Sequence, residues 1–489
     1  MVVFHSFLIY NEGTKTRLLT QYHFIRINMK ILIKNGRLLL KENGKYKVAA
    51  GDVLVDGNLI SKVILKDAQD SAASDDSSTG KSQKPEDRIV QVSCQADKVI
   101  DATGKFVMPG LINAHTHAYM SVFRNMADDL EFFDWLGTVN RVEDYMTEED
   151  CYWTTLLSII EMLQSGTTCF VDMNIRSAKN GAKTGPEGAS SSAANESGIR
   201  AYISRGLVGE ADDKDSLRRF REFFGEADLY KDNSRVNFLL GPHAPYSAMP
   251  SLLEKVTDYG HEKHMMATIH ISESETEMMN MAQDHGGITP VQYVDNGRLF
   301  ELPVIAAHCV NATDSDIQLF KEKNVSVAIN PKSNMKLGNG FAPVDRFLEA
   351  GVNVCLGTDG SGSNNTQNMF QEMNVASLVY KGKEKKAKCV DATDVLDMAT
   401  VNGAKALGME GQLGIIAGGA IADIIILDLN VPQFVPKNNI VSGLVYSAKG
   451  SEVETVIVDG RILMENRQIL TIDVQKVMDE CEKIAARLR

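Results

Sequence analysis

Between residues 108 and 410 the chain repeats one pattern: a short apolar run, a polar end, then a helical stretch. The runs are TTCFVDM, RAYISRGLV, VNFLLGPH, MMATIHIS, LPVIAAHC, VSVAINP and VNVCLGTDG. A strand with one wet face alternates apolar and polar residues, so continuous apolar runs imply strands covered on both faces. Strands of that kind alternating with helices form a parallel sheet. This many units in succession predict an α/β fold, a closed (β/α)8 barrel of the TIM type.

The flanking segments read differently. GDVLVDGNLISKVI carries Asp56-Gly57 between apolar runs, a hairpin signal, and KVIDATGKFVMPG follows it. Near the other end, GAIADIIILDL and ETVIVDGRILMEN are strand-like, and IVDGRIL echoes LVDGNLI. We therefore expect a small β-sandwich domain built from residues 29–107 and 411–489, the latter closing on a terminal helix. The barrel is expected over 108–410 between them. Met29 opens a good strand, so residues 1–28 are expected to be an extension outside the fold. Two polar stretches, residues 66–88 and the Ser/Ala/Gly-rich 177–198, are expected to be flexible loops.

Composition narrows the partners. A chain of 489 residues can bury a large core, and its net charge of −13 argues against a nucleic-acid partner. No apolar run reaches the length of about 20 residues that spans a bilayer. The N-terminus lacks both a basic start and a small-residue cleavage site, so it does not read as a signal peptide. The seven cysteines form no C-x-x-C pair and read as reduced, buried thiols. A cytoplasmic protein is expected.

Chemistry gathers at the ends of the apolar runs: His115 and His117, Asp172, Arg205, His243, His270, His308 and Asp359. In a barrel these C-terminal strand ends converge on one face, where active sites lie. His115 and His117 are two residues apart, which on a strand points both imidazoles to one side and suits a metal ion. Each histidine alone is more often a satisfied core or loop residue. Five of the chain's ten histidines at strand ends are not easily dismissed that way.

The stretches VMPGLINAHTHAYMSVFRNMADDLEFFDWL, HISESETE, AAHCV, NPKSNMKLGNGFAPV and LGTDGSGSNN resemble the amidohydrolase superfamily. More narrowly, they are similar to the branch of 5-methylthioadenosine/S-adenosylhomocysteine deaminases and triazine chlorohydrolases. The resemblance covers nearly the whole chain from Met29. It implies one divalent metal per chain, zinc in the first instance, with iron or manganese as alternatives, held by His115, His117, His270 and Asp359. It also implies that Asp359 takes a proton from water, that His308 orients the water, and that Glu273 protonates a ring nitrogen. Glu143 would accept hydrogen bonds from ribose, Arg205 and His243 would meet the group carried on the ribose, Trp135 would pack on the substrate, and Ser363 would line the pocket. For Arg205 the alternative is an internal ion pair, with Asp172 the candidate partner. Glu275 and Glu277 are read as solvated carboxylates. The activity implied is hydrolytic deamination of S-adenosylhomocysteine, methylthioadenosine or adenosine, with a small nucleoside-type substrate and a homo-oligomeric assembly. The alternatives are a hydrolase of a triazine, guanine or cytosine-type ring, or a non-catalytic scaffold.

Overall fold

The computed structural model describes residues 29–66, 96–174 and 188–488. The expected extension over 1–28 lies outside the described residues, as do residues 67–88 of the first polar stretch and 177–187 of the second.

Both ends of the chain contribute to one nine-stranded sheet. The N-terminal part supplies β1 (Lys30–Glu42), β2 (Lys45–Asp56), β3 (Leu59–Leu65), β4 (Lys98–Asp101) and β5 (Lys105–Pro109). Strands β6 to β14 belong to the intervening region. The C-terminal part supplies β15 (Ile424–Asp428), β16 (Val453–Val458), β17 (Arg461–Glu465) and β18 (Gln468–Ile469). The join is β15 against β5, antiparallel, with Ile424 opposite Pro109 and Asp428 opposite Lys105. The sheet curls. Val53, Val55 and Ile60 from one wing share a buried cluster with Ile424, Ile426 and Ile457 from the other, although the strand order separates them. Alternate residues, Ile425 and Leu427, face the large core instead. The sandwich is thus a single sheet folded over its own apolar face.

The central region carries β6 (Leu111–Thr116), β7 (Thr167–Asn174), β8 (Arg200–Leu207), β9 (Val236–Phe238), β10 (Gly241–Pro242), β11 (Ala267–Ile271), β12 (Val304–His308), β13 (Ser326–Ile329) and β14 (Asn353–Leu356). They form two parallel arcs, β10-β8-β7-β6 with β9 on β8, and β11-β12-β13-β14. One inner cluster takes Ile112, Val171, Tyr202, Ile305, Ala328 and Cys355 from six strands of both arcs, so the arcs wrap a common interior in the manner of a (β/α)8 fold. The ladder is not continuous all round. At one seam it is carried by the Leu240–Ala267 bridge, and at the other the Asp359 amide donates to the His115 carbonyl at 2.9 Å.

Gly110 turns the chain from β5 into β6. A Cβ there would stand 2.1 Å from the Thr168 hydroxyl, so only glycine lets β6 start this close to β7. Arg200, buried at the start of β8, donates to Asp423 at 2.8 and 3.1 Å and to Asp459 at 3.3 Å, tying the barrel-like region to the folded sheet.

One loop expectation is corrected. Within 177–198, residues Ala189–Ser197 form a helix with most residues buried. Their small side chains give no apolar stripe to read, yet small side chains are what allow most of this helix to be buried. It ends on Gly198 in the left-handed conformation, a common helix stop. Among the described residues, no helix is long and apolar enough to cross a membrane.

Candidate active site

The strand ends deliver their polar residues as a cluster. His115 lies one residue before the end of β6 and His117 follows the strand, His270 lies near the end of β11, His308 ends β12, and Asp359 follows β14. All five are buried. His115, His117 and His270 present nitrogens within 4.8 Å of one another, as do His115, His308 and the Asp359 carboxylate. Gly357 makes this approach possible, because a Cβ there would meet the His115 amide at 2.9 Å and the Asn330 side chain at 2.5 Å. His308 and Asp359 both adopt φ values near the left-handed region, 73° and 61°. Such backbone is uncommon for non-glycine residues and recurs at functional sites.

The donor set fits a metal ion. His117 Nδ1 lies 2.6 Å from the Met173 carbonyl and His270 Nδ1 lies 2.8 Å from the His243 carbonyl. A carbonyl only accepts, so both Nδ1 atoms carry the proton and both Nε2 atoms present lone pairs. Those two Nε2 atoms face each other at 3.1 Å. Two lone pairs at that distance repel unless a cation lies between or beside them. Both ring nitrogens of His115 are likewise buried without a hydrogen-bond partner. Burial, reinforced by neighbouring imidazoles, holds His115 and His270 well below the ordinary histidine range, so they are neutral.

Asp359 is anchored through both oxygens, Oδ1 accepting the Gly360 amide at 2.7 Å. Oδ2 accepts from Ser333 Oγ at 2.6 Å and Ser363 Oγ at 2.8 Å, which leaves Oδ1 3.4 Å from His117 Nε2. Burial alone would raise its pKa. The imidazoles of His117, His308 and His115 and the Ser333 hydroxyl outweigh that and hold it below the carboxylate range. Glu273 is the opposite case. Burial, with the Asp359 charge nearby, pushes its carboxyl well above the ordinary value, so it holds a proton. Two buried carboxyls with pKa values pushed apart are the signature of an acid and a base in one site. Asn339 donates to Glu273 Oε1 at 3.2 Å, and His308 donates through Nδ1 to the Asn334 side-chain oxygen at 2.8 Å.

One pocket opens over the cluster. His117, His270, Glu273, His308 and Asp359 line its polar side; Met120, Phe132, Trp135 and Leu136 line its apolar side; His243 and Tyr246 complete it. The structure thus brings seven of the sequence-predicted site residues onto this wall, with His115 just beneath. Three others fall elsewhere. Ser363 does not line the pocket but holds Asp359. Glu143 is buried at the end of helix Phe132–Glu143, where it accepts the Tyr119 hydroxyl, and is not on the wall. Arg205 is taken up by carboxylates, and its partners are Glu226 and Glu222 rather than Asp172. Asp172 instead accepts the Ala118 amide at 2.8 Å.

Sequence reasoning missed several residues. Ser333, Asn334 and Asn339 lie in the NPKSNMKLGNG stretch and could be found only by motif. Glu277 is not solvated: it is buried and accepts the amides of Ser272 at 3.1 Å and Glu273 at 2.7 Å. Its spacing of four from Glu273 at a helix start is the signal that was available.

A pocket that pairs a metal-type histidine cluster with a buried, proton-bearing carboxyl defines a protein built for metal-assisted hydrolysis. Comparison with known proteins narrows this. A model of the amidohydrolase family matches residues 106–463; the chain belongs to that family and is a hydrolytic enzyme. It is 44% identical over 398 residues to a 5-methylthioadenosine/S-adenosylhomocysteine deaminase of Thermoanaerobacter pseudethanolicus, covering 81% of this chain and 90% of that one. It is 40% identical over 468 residues to the enzyme of the same name from Caldanaerobacter subterraneus subsp. tengcongensis, covering 94% and 99%. The crystal structure of an adenosine deaminase from Xanthomonas campestris with bound zinc superimposes with a TM-score of 0.82 at 26% identity, covering 94% of this chain and 99% of that one.

Proposed function

We propose that the chain is a metal-dependent aminohydrolase that removes the ring amine of adenosine-type nucleosides, the class that includes methylthioadenosine and S-adenosylhomocysteine, and releases ammonia. One zinc ion held by His115, His117, His270 and Asp359 completes the site in this reading. Such an ion supplies Lewis acidity and makes water acidic enough to be a nucleophile near neutral pH.

The residues divide the proton work. Glu273, protonated in the resting site, delivers its proton to a ring nitrogen as the ring carbon is attacked, which makes the ring a better electrophile. Asp359, with Oδ2 held by the two serines and Oδ1 accepting the Gly360 amide at 2.7 Å, receives the proton of the attacking water and passes it to the departing amine, which leaves as ammonia. His308, with Nδ1 committed to Asn334, offers Nε2 to orient that water. Trp135, fixed by its Nε1 bond to the Gly362 carbonyl at 3.1 Å, gives the ring a flat apolar wall with Phe132.

The observation that carries the reading is the single pocket wall on which the buried Glu273 carboxyl stands beside the histidine cluster and Asp359. The relatives' names support the nucleoside class. A panel of adenosine, methylthioadenosine, S-adenosylhomocysteine, adenine, guanine and a chlorotriazine, assayed for ammonia or chloride with zinc-loaded enzyme, tests it. Ammonia from the nucleosides is expected. Turnover of guanine or the triazine alone would refute the nucleoside assignment.

A further inference from the structure

We propose that Lys336 is a positioning residue for the aromatic wall that faces the substrate: its ammonium clasps three loops over the pocket and fixes Trp135 in place; this rests on the reading of the pocket as a nucleoside site given above. Lys336 ends helix Pro331–Lys336, in the loop that follows β13. Its Nζ donates to Asp128 Oδ1 at 2.5 Å, to the Gly362 carbonyl at 3.2 Å and to the Asn365 side-chain oxygen. Asp128 lies in the loop after β6, and Gly362 and Asn365 lie in the loop after β14. An ammonium has three donors, and this one commits all of them to two neighbouring loops.

The clasp spans the seam between β14 and β6, where the Asp359 amide on the His115 carbonyl takes the place of a continuous ladder. Asn365 reinforces it, donating to Asn125 Oδ1 at 2.8 Å and to Asp128 Oδ1 at 3.3 Å. Asn125, Asp129 and Asn365 hold left-handed φ values of 60°, 59° and 73°, a backbone that asparagine and aspartate tolerate better than most residues. The Lys336 ammonium, opposed by slight burial and helped by Asn365, holds the Asp128 carboxyl below its ordinary range, as a standing ion pair should. Apolar packing runs beside the charge: Leu337 joins Phe123, Phe132 and Trp135 in one buried cluster.

Gly362 is where the clasp meets the wall. Its carbonyl accepts both Lys336 Nζ at 3.2 Å and Trp135 Nε1 at 3.1 Å. A Cβ at Gly362 would stand 3.6 Å from the indole ring and 3.3 Å from Phe123, so this turn lies directly against the tryptophan. Asp128 holds the other approach, shortly before the helix Phe132–Glu143 that carries Trp135. Removing the ammonium unties Asp128 from Gly362 and leaves the acceptor of the indole held less firmly. Asp359 keeps its bonds from Ser333, Ser363 and the Gly360 amide. The wall meets the ring before and during reaction alike. Its loosening therefore weakens the binding of substrate and transition state together, which raises KM and spares kcat.

The test uses full-length, zinc-loaded enzyme carrying Trp153→Phe, which leaves Trp135 as the sole reporter of the two tryptophans in the chain. Lys336→Met and Asp128→Asn are each compared with that parent, first by acrylamide quenching of tryptophan fluorescence without substrate, then by kinetics on methylthioadenosine. Both variants are expected to open Trp135 to the quencher. KM should rise about three- to tenfold, the scale of one aromatic contact, with kcat within about threefold of the parent and zinc retained. Asp128 is the more exposed partner, so Asp128→Asn decides the matter if Lys336→Met fails to fold. Quenching equal to the parent's would overturn the proposal. So would a fall in kcat at unchanged KM, which would place Lys336 with Asp359 instead of the wall, or a lowered melting point with quenching and KM both unmoved, which would make the lysine merely structural. Ammonia from no nucleoside would bring down the deaminase reading, and the quenching comparison, which needs no substrate, would still decide the clasp.

Discussion

Glu277→Gln should separate activity from stability. In wild type, Glu277 Oε1 accepts the Ser272 amide and Oε2 accepts the Glu273 amide at 2.7 Å. Ser272 is held at φ 52°, and this short turn aims the Glu273 carboxyl into the pocket. Glutamine keeps one acceptor but sets an NH2 against the other amide, donor facing donor. The lost bond is of the charged kind, worth about 1.5–3 kcal/mol. A misplacement of about 1 Å at a reacting group can cost about 10²-fold in rate, so kcat should fall by about that factor. Stability should move the other way. Burial, assisted by the neighbouring Glu273 carboxyl and opposed by the two amide bonds, pushes Glu277 from 4.5 to about 7. A raised carboxyl means the folded state binds the proton more tightly than the unfolded one. Wild-type stability attributable to this group is therefore full below pH 4.5 and falls as pH rises to about 7, by about 3 kcal/mol at ~1.4 kcal/mol per tenfold. Glutamine lacks that slope. Denaturant melts at about pH 4.5 and about pH 8 should show the variant gaining on wild type by that order as pH rises. Ammonia release and elemental analysis should show slow turnover with metal retained. A kcat within about threefold of wild type would refute the positioning argument, and a loss of turnover accompanied by loss of metal would reassign Glu277 to the cluster itself.

Other perturbations reach the remaining parts of the site. Glu273→Gln should keep the metal and lower turnover by about 10²–10⁴, the range for losing a general acid; near-normal turnover would remove Glu273 from the mechanism. His270→Ala should leave an incomplete ligand shell and less than one zinc per chain by elemental analysis after dialysis; full retention would contradict the ligand set. Arg200→Met should destabilise the fold by about 3–5 kcal/mol in a denaturant melt, because it leaves Asp423 buried without its two-point partner; an unchanged midpoint would show that the network does not join sheet to barrel.

The parts of this site that could be read from the sequence were those fixed by strand periodicity. A polar residue ending an apolar run must lie at the strand's outgoing edge, so the sequence alone places His115, His117, His270 and His308. What could not be read is which residue each side chain meets across the fold. Arg205 shows why. The apolar run places it at the end of β8, and the sequence allows an internal ion pair, for which Asp172 on the neighbouring strand is the nearest candidate in the pattern. The actual partner lies 21 residues on, in helix Lys214–Leu229. Nothing in that helix's sequence distinguishes Glu226, which lines a second, smaller cavity, from Glu222, which is only part-buried. Ser363 failed for the same reason, since a serine after a strand can face substrate or a catalytic carboxylate, and only the 2.8 Å bond to Asp359 decides. Helix Ala189–Ser197 failed for a different one. Helix recognition depends on an apolar stripe, and a helix packed through alanines and serines has none. That helix nevertheless supplies Ala189 and Ser190 to the second cavity and Ser191 to Glu226. The least helix-like stretch of the sequence therefore holds the carboxylate that takes up Arg205.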